Sequence, residues 1–415
     1  LRSRAEPGSA KFRDVLRKGT DRPRRGERRW APLIPQARVA PIRPEIANFT
    51  ETAYFSAMLK GANSVKQVER DVAAALQRVL ADIPFVKVRD LQVEKSVGDI
   101  EVDVLADVEI DNEDRKLILE VKSSGQPRMT RTAIEQLRNA AAHMRGDPIL
   151  VVGAPYFSDA AQMLCIHADV GYIDLMGNCR IVAPGVYINH QTSEKPKAAV
   201  REQKSVFAPK SARILRTLLR DADVAWKVTD LAEAADVSLG QVSNIRKALI
   251  DREWAEADPE GLRLTDRNAL LRAWREAYSP PAGERRGYYT TLHGQALDMA
   301  LPAALAAARR SGSAAAMSFT AADILAPYAR VATTYLAADA AAIPALEDGL
   351  KLKPVQSGAN VEILIPDDTD LFIDLIEPRP GLWATSPLQT YLDLGAAGER
   401  GAEAAEVLLE KRSLW

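Results

Sequence analysis

Two cysteines, Cys165 and Cys179, and four histidines are all that 415 residues contain of the usual thiol and imidazole ligands. The cysteines show no CxxC spacing, so neither a disulfide framework nor a structural zinc site is supported, and two buried thiols are expected. His167 and His190 stand isolated and take no role. No stretch approaches the roughly 18 uninterrupted apolar residues of a membrane-spanning helix. The N-terminus has no apolar core of a signal peptide, so the expectation is a cytoplasmic protein with no membrane partner. No internal repeat of solenoid period is visible, which excludes a stacked-repeat architecture.

What the chain does have is an ordinary globular composition, 47% hydrophobic and 27% charged. A prior of roughly 100 to 200 residues per domain makes this two to four domains. The net charge of -1 hides an asymmetry, because residues 1–45 carry a large excess of Arg and Lys and the remainder is acidic. That leader, with Arg22, Arg24, Arg25, Arg28 and Arg29 among Pro23, Pro32 and Pro35, is too polar to offset its ordering entropy. It reads as a basic flexible arm, either contacting phosphates or solvated without a target.

Residues 64–82 place Val65, Val68, Val72, Leu76 and Val79 at helical spacing behind Ser64 as N-cap. FVKVRDLQVE and IEVDVLADVEI alternate as strands, DNEDR is a turn, and KLILEVKSS is an apolar run ending in charge. A helix is expected over about 131–145, then PILVVGAP as a strand covered on both faces, a helix over 158–168, and GYIDLMGNCRIV as a strand pair turning near Gly177 and Asn178. Helix, three strands, helix, strand is an α/β layout. The polar stretch 191–210 reads as a linker, and SPPAGERRG, 279–287, as a further boundary.

Asp103 in IEVDVLA and Glu120 and Lys122 in LILEVKSS carry the first chemical signal. On adjacent strands the alternation of side chains puts Glu120 and Lys122 on one face, where Asp103 can join them. Two carboxylates suit a hard divalent cation such as Mg²⁺ or Mn²⁺, which lowers the pKa of a bound water and neutralises charge on a phosphate. Lys122 would orient that water or stabilise the transition state. Asp174 and Asn178 in YIDLMGN could also approach this site, but Gly177 and Asn178 are ordinary turn residues and a turn is the preferred reading.

In this order of elements, GDIEVDVLA and LILEVKSS resemble the second and third strands of the PD-(D/E)XK superfamily, with Asp103, Glu120 and Lys122 on the motif's three positions. The resemblance runs from about 64 to 190, inside a domain placed at 46–195. It implies a restriction-endonuclease-like α/β fold and metal-dependent cleavage of DNA or, less often, RNA. It also implies accessory roles for Glu69 in the first helix and Gln136 in the helix after the lysine. Val102 stands where the motif has proline.

Residues 211–266 give the second signal, in a domain placed at 205–280. SARILRTLLR, TDLAEAAD capped by Thr229, the turn DVS, LGQVSNIRKALIDRE and the strand pair of WAEADPEGLRLTD succeed one another as a winged helix-turn-helix. On the longer helix Leu239, Val242, Ile245 and Leu249 share an inward face. Ser243, Asn244 and Lys247 lie opposite, with Gln241 and Arg246 at the edges and Arg263 in the wing, as DNA contacts.

The remainder, 285–415, is expected to be an α+β domain. DILAPYARVATTYLA, GANVEILIPDDTDLFID and SPLQTYLDLGAAGERGAEAAEVLLEKR resemble the C-terminal domain of the AbiEi family, antitoxins of type IV toxin-antitoxin systems. That resemblance implies operator binding, autorepression and neutralisation of a nucleotidyltransferase-type toxin. Tyr391, Asp393 and Arg400 form either an interaction surface or helix packing and capping. Three functions stay open: a Mg²⁺-dependent DNA endonuclease acting on foreign DNA, a non-catalytic antitoxin and autorepressor, and, third, an RNA-directed enzyme of the same fold.

Overall fold

A computed structural model describes residues 38–39, 61–97, 100–327 and 332–411. The basic arm of residues 1–45 lies outside the described residues, except Arg38–Val39 (β1).

Helix α1, Gly61–Ala81, begins three residues before the expected cap Ser64. It buries Val68, Val72, Leu76 and Val79 and leaves Val65, one turn from its start, exposed. Strands β2 (Val86–Val97), β3 (Ile100–Ile110) and β4 (Glu113–Val121) form an antiparallel meander. The tight turn between β3 and β4 is made by Asp111 and Asn112, both at positive φ, the backbone that hairpins of this length require. Helix α2, Pro127–Ala142, starts earlier than the apolar spacing indicated, because Pro127 brings a preset φ to its first turn.

Strand β5 (Ile149–Ala154), helix α3 (Asp159–His167) and strands β6 (Gly171–Asp174), β7 (Cys179–Ala183) and β8 (Val186–His190) complete the N-terminal part. The eight strands run in the order β1-β8-β7-β6-β5-β4-β3-β2, with β4, β5 and β6 parallel. One sheet face packs Val104, Ala106, Leu117, Leu119 and Val151 against α1. The other packs Ile118, Val152 and Tyr172 against α2 and α3. Gly153 lets α1 close on β5, since a Cβ there would stand 2.5 Å from Val72.

The expected linker is a helix instead: α4, Lys197–Val206, buries Ala198 and Val206. Its alternation of lysines with AAV conceals an apolar edge from a reading based on polarity. Helices α5 (Pro209–Arg220), α6 (Val228–Ala234) and α7 (Leu239–Asp251), the antiparallel pair β9 (Ala255–Ala257) and β10 (Leu262–Leu264), and α8 (Arg267–Ala277) follow. Ser238 caps α7, its hydroxyl accepting from the Gln241 N–H. Thr229 does not cap α6; that position is Lys227, and the Thr229 hydroxyl donates to Asp230. Val242, Ile245 and Leu249 are buried as their spacing requires, but Leu239 is 53% exposed. It sits in the first turn of α7 between exposed Ser238 and Gly240, beyond the reach of the core.

A seven-stranded sheet organises the rest, in the order β14-β11-β15-β13-β12-β17-β16. Its strands are β11 (Gly283–Tyr289), β12 (Ala314–Ala316), β13 (Thr334–Ala338), β14 (Lys353–Pro354), β15 (Val361–Pro366), β16 (Ile376–Arg379) and β17 (Leu382–Ala384). Helices α9 (Gln295–Ala308), α10 (Ser318–Leu325) and α11 (Ile343–Leu350) intervene, and α12 (Pro387–Gly395) and α13 (Gly398–Glu410) close it. LFIDLIEP is not one strand: Asp370–Phe372 is a 3₁₀ turn, and only Ile376–Arg379 pairs. Leu388, Tyr391, Leu392, Leu394, Ala405 and Leu408 of α12 and α13 join Leu270, Leu271 and Trp274 of α8 and the inward residues of α5–α7 in one apolar cluster. The last two helices therefore share a core with the segment that precedes the sheet. Among the described residues no helix is long and apolar enough to cross a membrane.

Candidate metal and nucleic-acid sites

At the C-terminal end of β4, parallel pairing sets Glu120 beside Val152 on the sheet face that carries α2 and α3. Lys122 follows two residues on, its backbone N–H donating to the Gly153 carbonyl at 2.8 Å. Its ammonium donates to Glu120 Oε1 at 2.6 Å. From β3, Asp103 Oδ2 accepts the Val121 N–H at 2.6 Å, so the β3 carboxylate is pinned to the end of β4. Glu69, on α1, is close enough for Asp103 to raise its pKa. The structure thus brings together Glu69, Asp103, Glu120 and Lys122.

Burial is the largest influence on all three acids and pushes each above the ordinary carboxylate range. For Glu120 the Lys122 hydrogen bond pulls the other way, while Asp103 and Glu69 push it up again. For Asp103 the Val121 N–H opposes burial. Three negative charges facing one ammonium in a half-dry site make a field that a cation would relieve.

Among the described residues no group of three or more acidic, histidine or cysteine side chains is arranged to enclose a metal ion. A Mg²⁺ ion does not need one, because it commonly keeps several waters and takes one or two carboxylates. Asp103 Oδ1 and Glu120 Oε2 have no protein hydrogen bond among the described residues and fit that donor set. Gln136 lies on the exposed side of α2, away from the buried Ala133, Ile134 and Leu137, and makes no hydrogen bond to Glu69, Asp103, Glu120 or Lys122 among the described residues.

Asp174 is occupied in holding a turn. Its carboxylate accepts from the N–H groups of Phe157, Met176 and Asn178 and from the Asn178 amide, at 2.8–3.2 Å. Burial pushes it up to about 6 despite those donors. Cys165 and Cys179 are buried and free, with Cys165 pushed up to about 12 by burial, so neither offers a thiolate.

On α7, Ser243, Asn244, Arg246 and Lys247 are exposed together. Gln241 is half-buried and donates to Ser211 Oγ at 2.8 Å, which turns it back toward α5. Arg263, on β10, pairs with Glu260 at 3.3 Å. At its far end α7 meets α2: Arg131 makes two 2.9 Å bonds to Glu253, and Arg128 stands 3.7 Å from Asp251. The helix that follows Lys122 is thereby tied to the end of the exposed helix. The sequence carries no sign of this, since the partners are 122 residues apart.

Tyr391 and Asp393 are buried, so they serve packing, whereas Arg400 is exposed. Asp393 accepts from the Tyr278 hydroxyl at 2.6 Å and from Gln389 at 2.9 Å, and burial raises it to about 6. Gln389 in turn accepts from Arg216 of α5 at 2.5 Å. A buried polar chain therefore joins α5, the end of α8 and α12.

Residues 263–414 match the model of a family described as a transcriptional regulator, the AbiEi antitoxin of a type IV toxin-antitoxin system. The matched segment starts in β10, so it includes α8 as well as the sheet and both closing helices. No curated protein and no solved structure matches the chain.

Proposed function

We propose that the chain is a DNA-binding transcriptional regulator of the antitoxin kind, which reads DNA through α7 and meets a cognate nucleotidyltransferase-type toxin through its C-terminal segment. One observation carries the reading: the segment that matches the antitoxin family shares a single core with α5–α7, the helices that precede it. That unit is read as a winged helix, with α7 entering the major groove. Asn244 suits an adenine edge, Lys247 and Arg246 suit guanine or phosphate, and Ser243 fits either. Arg263 on the hairpin reaches toward the backbone from the wing. Fluorescence anisotropy with DNA from upstream of the chain's own coding sequence tests this. Saturable binding that a scrambled duplex does not match supports it, and equal affinity for both duplexes contradicts it.

A second reading is favoured by the meeting of Asp103, Glu120 and Lys122 at one sheet end within a helix, three-strand, helix, strand frame. In it the N-terminal part is restriction-endonuclease-like and hydrolyses phosphodiester bonds. Mg²⁺ or Mn²⁺ held by Asp103 and Glu120 would supply a water of lowered pKa and neutralise charge on the phosphate. Lys122 would orient that water, with Glu69 as an accessory acid. Incubation of the purified chain with plasmid DNA and Mg²⁺ tests it. Nicking that disappears in Glu120→Ala and Lys122→Ala supports the reading, and nicking that survives both removes this site from it.

A further inference from the structure

A cavity of about 760 Å³ lies between α5, the turn after α6, and residues 369–376 and 386–388 of the C-terminal segment. Its size is that of a pocket for a small organic molecule, roughly 300–1,000 Å³. Arg213, Arg216 and Arg220 line it from one face of α5, being three and seven residues apart.

The three guanidiniums are not equally committed. Arg216 is fixed: it donates to Asp374 at 2.7 Å and to Gln389 at 2.5 Å and lies over the Trp274 ring. Ser386 supplies a further donor to the same Asp374 oxygen, so that side of the cavity is neutral and held. Arg213 reaches Asp236 at 3.4 Å and Asp370 at 3.3 Å, both long contacts, and the Asp236 side chain is almost wholly in water. Such pairs are worth little and exchange readily. Arg220 pairs with its own neighbour Asp221, outside the cavity lining, and keeps donors free. Spare donors therefore sit beside an apolar wall that includes Ile373, which is 53% exposed.

We infer that this cavity binds a small anionic molecule with an apolar body, whose acidic group is taken by Arg213 and Arg220 and whose apolar part covers Ile373. The same ligand touches Ala234–Asp236, the end of α6 and the start of the turn into α7, and so acts on the helix assigned to DNA. This second step rests on the DNA-binding reading. A ligand that prefers one placement of that turn changes DNA affinity, and DNA changes ligand affinity by the same factor.

Calorimetric titration of the full chain with naphthalene-1-sulfonate, against neutral 1-naphthylmethanol, tests the site. The sulfonate is expected to saturate at one molecule per chain and to bind more tightly than the neutral compound. Arg213→Glu is expected to weaken it by about tenfold or more, the worth of a charge-assisted bond, and Ile373→Asp to weaken it as well, by replacing the apolar contact with a like charge. Arg310→Glu, on the exposed side of α9's end, should leave it unchanged. No saturation, or the same affinity in all variants, overturns the site. Thermal unfolding checks that the variants fold, and Arg213→Gln with Ile373→Ser replace any that does not. Unaltered DNA affinity at saturating sulfonate overturns the coupling. A chain that binds no DNA at all overturns the DNA reading, while the sulfonate titration still decides the cavity.

Discussion

Replacing Glu120 with Gln separates the cost of the acidic cluster from its use. In the folded chain Glu120 is 5% exposed and bonded to Lys122, with Asp103 and Glu69 adding like charge. Carboxylates that share one such site repel by up to about 3 kcal/mol at an effective dielectric of ~20, less where water reaches them. The amide keeps an acceptor for Lys122 but gives up the charge-assisted part of that bond, about 1 kcal/mol. Metal-free Glu120→Gln should therefore be as stable as the parent, or up to about 2 kcal/mol more so. With Mg²⁺ at about 100 times its Kd the parent gains about 2.7 kcal/mol. That is a rise in unfolding midpoint of roughly 5–10 °C for a unit of this size. Differential scanning fluorimetry with and without Mg²⁺ reads both effects. An equal Mg²⁺ shift in parent and variant, or a metal-free variant several degrees less stable, refutes the reasoning.

Acid should remove the same Mg²⁺ shift. The folded state holds protons on Asp103 and Glu120 more tightly than the unfolded chain does, so metal-free stability falls as pH rises above the ordinary Glu value of 4.5. Protons displace the metal below that window, and a shift of equal size at pH near 4 and near 7 would contradict the assignment. Arg216→Ala leaves the Asp374 carboxylate without its counter-charge, with only the Ser386 hydroxyl as donor, and takes the Arg216 donor from Gln389; the Arg216 and Asp374 side chains are only 14% and 23% exposed, so this should cost about 2–3 kcal/mol in urea unfolding. A loss below about 0.5 kcal/mol would mean that α5 and α12 do not depend on this link. Arg131→Glu should destabilise by about 1 kcal/mol and recover when combined with Glu253→Arg. Additive effects in that double-mutant cycle would deny the contact between α2 and α7.

The strands of the N-terminal sheet were legible because their apolar alternation has one solution: Asp103, Glu120 and Lys122 had to share a face once β3 and β4 paired. Gln136 came from the family resemblance alone, and in the helix the buried face is set by Ala133, Ile134 and Leu137, which leaves Gln136 in water. Leu239 and Gln241 show the limit of helical spacing at a helix end, where one face can be present without a neighbour to cover it. Ala314–Ala316 and its partner β13 are inner strands of the C-terminal sheet, yet alanine has little strand preference of its own, so only the surrounding sheet decides. Arg216, Asp374 and Gln389 meet across more than 150 residues, and no local pattern announces such a contact.

Anisotropy titration of the full chain on its own upstream DNA, comparing the parent with Asn244→Ala combined with Lys247→Ala, tests the regulator reading most directly. Both side chains are exposed and away from the core of α7, so the double variant should fold normally. The account predicts a loss of about 2–4 kcal/mol in specific binding, a factor of tens to hundreds, with discrimination against a scrambled duplex reduced. Undiminished affinity and discrimination in a folded double variant would contradict it.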